Sequence, residues 1–275
     1  MTAGGDVADG HQEGALAGRR ALVTGASGGI GAALAERLAA EGAVVGICAR
    51  RADRLADVLD RCRAHVPGCR SWVIDLSDLD RVASFAHQAD DELGGIDLLV
   101  NNAGIPKRRR VEDTSAADVD EVMAINFASP VRLTSALLPR MLERGAGQIV
   151  NVSSVAARLS PPGEAAYAAS KAAITAWSES LAVEVWDSPV SVHLVNPGVI
   201  DTDLFHLPGN DPLLADLDAL PPSAVVDVVV EQVTENQFER FVPVWLGDVA
   251  SDKARDVAAY LAGAAEWYRH ARDGS

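Results

Sequence analysis

Thr24-Gly25-Ala26-Ser27-Gly28-Gly29-Ile30-Gly31 is the stretch whose reading decides the fold. The apolar run Ala21–Thr24 leads straight into these glycines, and a segment of helical period leads out of them. A strand, a glycine-rich turn and a helix in that order is the setting in which a glycine cluster becomes a phosphate site. Gly25 can take the positive φ of a tight turn, Gly29 leaves the backbone bare for a pyrophosphate, and Gly31 permits close packing of helix on strand. Free N–H groups at the helix start then face the anion, and Ser27, Gly28 and Ile30 complete the cradle. Within the helix, Ile30, Leu34 and Leu38 recur every four residues as one apolar stripe, Glu36, Arg37 and Glu41 lie off it, and Gly42 supplies the stop.

Outward from this turn, short apolar runs alternate with longer segments of helical period. Strands are predicted at Ala21–Thr24, Val44–Cys48, Ser71–Ile74, Ile96–Val100, Gln148–Val152 and Val190–Val195, with long helices over Ser115–Arg144 and Ala165–Trp186. That alternation predicts an α/β fold, a doubly wound parallel sheet of about six or seven strands with helices on both faces. The 275 residues fit one such domain, from residue 18 to 275. Residues 1–17, rich in Gly, Ala and Asp, read as a loose tail without the basic and apolar regions of a signal peptide. Residues 201–225 mix Gly209, Pro208 and Pro212 with Leu204, Phe205, Leu207, Leu213 and Leu214, the composition of a mobile apolar lid over an apolar substrate. His206 in that lid reads as a surface residue.

Composition narrows the function. With 48% hydrophobic and 23% charged residues the chain is globular. A net charge of −15 repels phosphate backbones and anionic headgroups, so neither nucleic acid nor a membrane surface is an expected partner. No uncharged apolar stretch is long enough to span a bilayer. Cys48, Cys62 and Cys69 are few, odd in number and without ligand spacing, which predicts free thiols in a reducing, cytoplasmic compartment and no metal site. Lys107-Arg108-Arg109-Arg110 stands out in so acidic a chain. It reads as a solvated loop, with an acidic ligand at the cleft mouth as the alternative.

The spacing Gly25-x-x-x-Gly29-x-Gly31, with Thr24 before it, resembles the short-chain dehydrogenase/reductase family. Asn101-Asn102-Ala103-Gly104, after the fourth strand, is similar to the family's segment beside the adenosine ribose, and Asp75-Leu76 to its adenine-side aspartate. The second strand ends in Ala49-Arg50-Arg51. The resemblance places Ala49 where NAD-preferring members carry aspartate and Arg50 where NADP-preferring members bind the 2′-phosphate, for which a guanidinium is a suitable fork. Gly28 stands where a second basic residue often occurs. The resemblance thus implies a Rossmann-like fold and NADP(H), with NAD(H) possible. Read from charge alone, Arg50 and Arg51 are solvated ends of a helix.

Tyr167-Ala168-Ala169-Ser170-Lys171 opens a predicted helix, so phenol and ammonium share one face about 6 Å apart along the axis. A phenol with an ordinary pKa of about 10 is lowered by about 1–3 units beside an ammonium, and Tyr167 is expected to exchange a proton near neutrality. The fifth strand runs into Ser153 and Ser154, and Ser154 has the family's separation from the tyrosine. Ser153 is the competitor and reads as a strand-end backbone partner. By resemblance, Asn126, Ser154, Tyr167 and Lys171 form the catalytic set, with Asn126 holding a proton-relay water. Pro197-Gly198-Val199 and Thr202 look like the segment that holds the nicotinamide carboxamide. The implied activity is hydride transfer between a nicotinamide and a carbonyl or alcohol. The rival is a catalytically silent NAD(P)-binding regulator or scaffold of the same fold. The family implies a homodimer or homotetramer, yet Phe241–Gly247 replaces the glycine-rich strand that usually packs in the tetramer.

Overall fold

In the computed structural model, which describes residues 14–212 and 218–273, the apolar runs pair as expected into one sheet. The strands β1 (Arg20–Thr24), β2 (Val44–Ala49), β3 (Arg70–Val73), β4 (Leu98–Asn101), β5 (Gly147–Val152), β6 (Val190–Pro197) and β7 (Glu239–Val242) are all parallel, in the order β3-β2-β1-β4-β5-β6-β7. Each of the six predicted strands is present within two residues of its expected ends. The seventh lies just where the sequence departs from the family's usual ending.

The helices are α1 (Gly29–Ala40), α2 (Ala52–His65), α3 (Leu79–Leu93), α4 (Ala116–Met123), α5 (Ser129–Arg144), α6 (Ala156–Leu159), α7 (Ala165–Glu184), α8 (Pro222–Glu235), α9 (Trp245–Arg255) and α10 (Val257–Asp273). Side chains alternate across the strands and so feed two cores. Leu98 and Val100 of β4 join Leu34 and Leu38 of α1, Leu55 of α2 and Val229 of α8 on one face. Leu99 of the same strand joins Phe85 of α3, Leu137 of α5 and Leu181 of α7 on the other. The fold is a Rossmann-like doubly wound sheet, and its strand order reverses between β1 and β4. Ligand crevices open at that switch point, beyond the carboxyl ends of the strands.

Three expectations need correction. The segment read as one helix over Ser115–Arg144 is broken by a π-helical turn at Ala124–Ala128. The Ser129 N–H reaches back five residues to Ala124 O, and Pro130 stands in the first turn of the helix that resumes, where its missing N–H is tolerated. The tail ends sooner than residue 17: Leu16 is 2% exposed within the core and its N–H donates to Glu41 O at 3.3 Å. Residues 1–13 lie outside the described residues. The lid stops before residue 225, because Ile200 pairs with Leu220 and α8 begins at Pro222. Leu213 and Leu214 lie outside the described residues, as do the side chains of Phe205 and His206.

Candidate active site

The glycine turn is held by a threonine hydroxyl reached from two strands. Thr24 Oγ donates to Val100 O at 3.2 Å and accepts from the N–H groups of Asn102 and Ala103, both at 3.0 Å. Asn102 Nδ2 returns a bond to Thr24 O at 2.9 Å. Gly25 has φ +68°, and a Cβ there would lie 2.7 Å from Ala103 Cα. A Cβ on Gly31 would lie 2.5 Å from Asn102 Nδ2 and 2.6 Å from Gly25 O, so Gly31 secures the turn itself more than a strand. Bare backbone at Gly28 and Gly29 faces the cleft, and Gly28 precedes the first turn of α1. These residues fit a pyrophosphate: a cradle that side chains would fill, at the positive end of a helix dipole.

The cleft, of about 300 Å³, runs along the carboxyl edge of the sheet and is lined by most of the residues singled out from sequence. At one end are Arg50, Asp75, Leu76, Asn102 and Ala103, and in the glycine turn Gly25, Ser27, Gly28, Gly29 and Ile30. Gly104, Ser154, Tyr167, Lys171, Pro197, Gly198 and Thr202 lie farther along. Gly31, Val199 and Asn126 are not in its wall. The Val199 carbonyl accepts from Leu220 N–H at 3.0 Å, which fastens the far end of the lid.

Asp75 accepts from the N–H and hydroxyl of Ser77 at 2.9 and 2.8 Å. Burial alone would raise its carboxyl, but these bonds and nearby Arg50 hold it below its ordinary value. Arg50 is exposed, 3.9 Å from Asp75. Its neighbour Arg51, read from sequence only as a solvated charge, reaches over the glycine turn and donates from Nε to Ser27 Oγ at 3.1 Å.

The proton-transfer candidates gather where β5, α7 and the π-helical turn meet. Tyr167 and Lys171 share a face of α7, with the Lys171 Nζ 5.8 Å from the centre of the phenol ring. Ser154 lies beside Tyr167 and lowers its phenol, while its Oγ accepts from Ala156 N–H at 3.1 Å and donates to Pro197 O at 3.4 Å. Ser153 turns away instead, donating to Lys171 O at 3.2 Å and meeting Thr175 Oγ at 2.8 Å. Asn126 is 2% exposed and its side chain is engaged: Oδ1 accepts from Ile105 N–H at 2.8 Å, and Nδ2 donates to Ile105 O and to Ser170 Oγ, both at 3.0 Å. The amide therefore braces the loop after β4 against α7. Any water held by this residue falls to its backbone carbonyl.

The charge balance at Tyr167 differs from the expectation. Burial pushes its phenol up to about 12; the Ser154 hydroxyl beside it and the charge of Arg108 pull it down, while Glu164 pushes it further up. Lys171, 4% exposed, donates to Val152 O at 2.8 Å and is itself drawn down to about 8 by burial. The expected lowering assumed a lysine that keeps its charge freely. Within this protein burial opposes charge on both side chains.

The basic loop is not a solvated one. Arg108 is 5% exposed, and its Nε donates to Asp211 O at 2.9 Å while its N–H donates to Asn210 Oδ1 at 2.7 Å. Arg109 Nε donates to Gly209 O at 3.0 Å, and its N–H to Gly163 O at 2.7 Å, just before α7. Lys107 and Arg110 are spent on Asp118 and Glu112. The loop thus fastens the lid beside Tyr167. Ile105, Leu204 and Leu207 give the nearby cleft wall an apolar lining. Among the described residues no group of three His, Cys, Asp or Glu side chains could hold a metal, and no helix is long and apolar enough to cross a membrane.

A glycine cradle at a switch point, with a tyrosine and a lysine in the same cleft, defines a dinucleotide-type oxidoreductase fold. Comparison with known proteins makes the class specific. The family model described as short chain dehydrogenase matches residues 19–211. Nodulation protein G of Rhizobium sp. (strain N33) is 40% identical over 187 residues, 68% of this chain and 75% of that protein. Among solved structures, a short chain dehydrogenase/reductase from Burkholderia phymatum in complex with NAD superposes with a TM-score of 0.80 at 25% identity, covering 88% of this chain and 95% of that one. A short-chain dehydrogenase from Sphingobium yanoikuyae in complex with NADPH gives 0.77 at 26% identity over 88% and 95%. The chain belongs to the short-chain dehydrogenase/reductase family and has its oxidoreductase fold.

Proposed function

We propose that the protein is a nicotinamide-dependent oxidoreductase, preferring NADP(H) and accepting NAD(H), that interconverts a carbonyl and an alcohol on an apolar small molecule. The observation that supports this reading is that Ser154, Tyr167 and Lys171 line the same cleft as the glycine cradle. The nicotinamide supplies the hydride chemistry when bound. Tyr167 gives a proton to the substrate oxygen in reduction, or takes it in oxidation. Ser154 donates a hydrogen bond to that same oxygen, where charge develops. Lys171 and Gly104 bound the floor of the cleft: a Cβ on Gly104 would come 3.4 Å from Lys171 Nζ, so the glycine keeps the path to the ammonium open. That ammonium would hold ribose hydroxyls. Pro197, Gly198 and Thr202 would hold the carboxamide, and the Asn126 backbone would hold the relay water.

The preference for the phosphorylated cofactor rests on Arg50 and Arg51, both in the cleft wall with no carboxylate at Ala49. The apolar substrate rests on Ile105, Leu204 and Leu207. The same reading takes the protein as a homodimer or homotetramer, closing on the exposed faces of α5 and α7 where Leu142 and Val183 meet solvent. A cytoplasmic location belongs to the same reading, supported by its three free, buried thiols. The test is a fluorescence titration with NADPH and NADH, followed by a screen of ketones, aldehydes and alcohols with wild type and Tyr167→Phe. Turnover should fall about 10²-fold or more in the variant with cofactor affinity retained. Near-normal turnover would refute the role of the phenol.

A further inference from the structure

Three arginines converge at the first turn of α2: Arg50, Arg51 and Arg54. Positive charge is disfavoured at that end of a helix, where the dipole is itself positive, so the cluster calls for an anion. The chain supplies one from far away. Asp203, directly after Thr202 at the start of the lid, accepts through a single oxygen, Oδ2, from Arg51 Nη1 at 3.4 Å and from Arg54 Nη1. Arg51 meanwhile donates from Nε to Ser27 Oγ at 3.1 Å and from Nη2 to Ser27 O at 3.4 Å. The Thr202 methyl lies 2.9 Å from where a Cβ on Gly29 would stand. The segment from Thr202 to Asp203 therefore crosses the glycine turn like a strap, fastened on its far side by a carboxylate between two guanidiniums.

We propose that Asp203 is an internal competitor for the cofactor's 2′-phosphate: the lid's carboxylate and the phosphate share Arg51 and Arg54, so binding the phosphorylated cofactor unfastens the strap. This rests on the NADP preference proposed above. A phosphate monoester carries about −1.5 to −2 charge and three acceptor oxygens at neutral pH. It is the stronger partner for a pair of forked donors than one carboxylate oxygen. All three side chains in the bridge are about half exposed, so an entering anion can reach them without unfolding anything. The exchange makes Asp203 a specificity-determining residue. Its pull on the arginines subtracts from the affinity for a 2′-phosphate and barely touches a ribose that carries a hydroxyl there. The lid is then looser with NADP(H) bound than with NAD(H), because only the former takes the arginines.

The experiment uses the full chain and two probes that lack the nicotinamide, 2′,5′-ADP and 5′-ADP, alongside NADPH and NADH. Dissociation constants are measured calorimetrically for wild type, Asp203→Asn and Arg51→Ala. Asp203→Asn should raise the preference for 2′,5′-ADP over 5′-ADP about 5-fold or more, a coupling of ordinary size, and the preference for NADPH over NADH likewise. In wild type, hydrogen exchange of residues 203–212 should speed up with 2′,5′-ADP and not with 5′-ADP. An unchanged preference ratio in Asp203→Asn, or equal weakening of both probes, would overturn the proposal. Arg51→Ala separates the two readings. If it weakens 2′,5′-ADP while Asp203→Asn leaves the ratio alone, the phosphate site stands and the competition fails. If Arg51→Ala costs nothing and 5′-ADP binds as tightly as 2′,5′-ADP, the NADP preference itself is wrong.

Discussion

Replacing Lys171 by methionine should change the pH dependence of stability in one calculable direction. Burial draws the Lys171 ammonium from its ordinary 10.5 to about 8, and the side chain is 4% exposed. In the unfolded chain the same group keeps its proton up to the ordinary value. Between about pH 8 and pH 10.5 the unfolded state therefore holds more proton than the native one, and the contribution of this lysine to stability rises with pH across that window. Below about pH 8 both states are charged and the native state carries the whole cost of a buried ammonium. At about 1.4 kcal/mol per pKa unit that cost is about 3 kcal/mol. Above pH 10.5 it is gone. The difference in unfolding free energy, wild type minus Lys171→Met, should thus climb by about 3 kcal/mol between pH 7 and pH 10.5. The lost bond to Val152 O adds an offset that does not vary with pH. Cys48 and Cys62, both pushed up to about 12, act in the opposite sense above their ordinary values. They are common to both proteins and cancel in the difference. Urea unfolding followed by tryptophan fluorescence at four or five pH values reads the quantity directly. A difference that stays flat would show that the lysine is not buried as a charge, and the account of the site's electrostatics would fall with it.

Two further outcomes follow from geometry. Ser154→Ala should lower turnover by about 10²-fold through loss of the donor beside the phenol, while Ser153→Ala, whose hydroxyl bonds Lys171 O and Thr175, should cost about 1 kcal/mol of stability and spare turnover; steady-state rates and thermal melts on both variants decide, and a reversed ranking would move the catalytic role to Ser153. Gly25→Ala forces an alanine to φ +68° with its Cβ 2.7 Å from Ala103 Cα, so it should cost about 1–3 kcal/mol in strain and overpacking and weaken both nicotinamide cofactors at least tenfold in a fluorescence titration, whereas undiminished binding would mean the turn is not the cradle.

What could be read from sequence shares a physical property: it is local. The glycine turn works because residues within eight positions bend, bare their backbone and start a helix, and Tyr167 and Lys171 meet because a helix brings the fourth residue back to the same face. What escaped is assembled from distant pieces. Arg51 looked like a solvated charge because its partners, Ser27 and Asp203, are 24 and 152 residues away. Lys107–Arg110 looked like a solvated loop because the carbonyls of Gly209 and Asp211 that hold it lie about a hundred residues downstream.

The proton affinity of Tyr167 was misjudged for a related reason. Spacing gives the distance to Lys171, but the sign of the shift depends on how deeply the lid, the loop after β4 and α7 together bury both groups. The split has a consequence for function. The glycine turn, the Tyr-Lys pair and the adjoining serine are local, so they reveal the class of protein. The arginines proposed to choose between cofactors, and the segment proposed as a lid, are held through long-range pairs. If the proposed roles hold, specificity resides in these tertiary contacts, and substitutions at Asp203 or Arg108 should move it more than any change within the family motifs that leaves them competent.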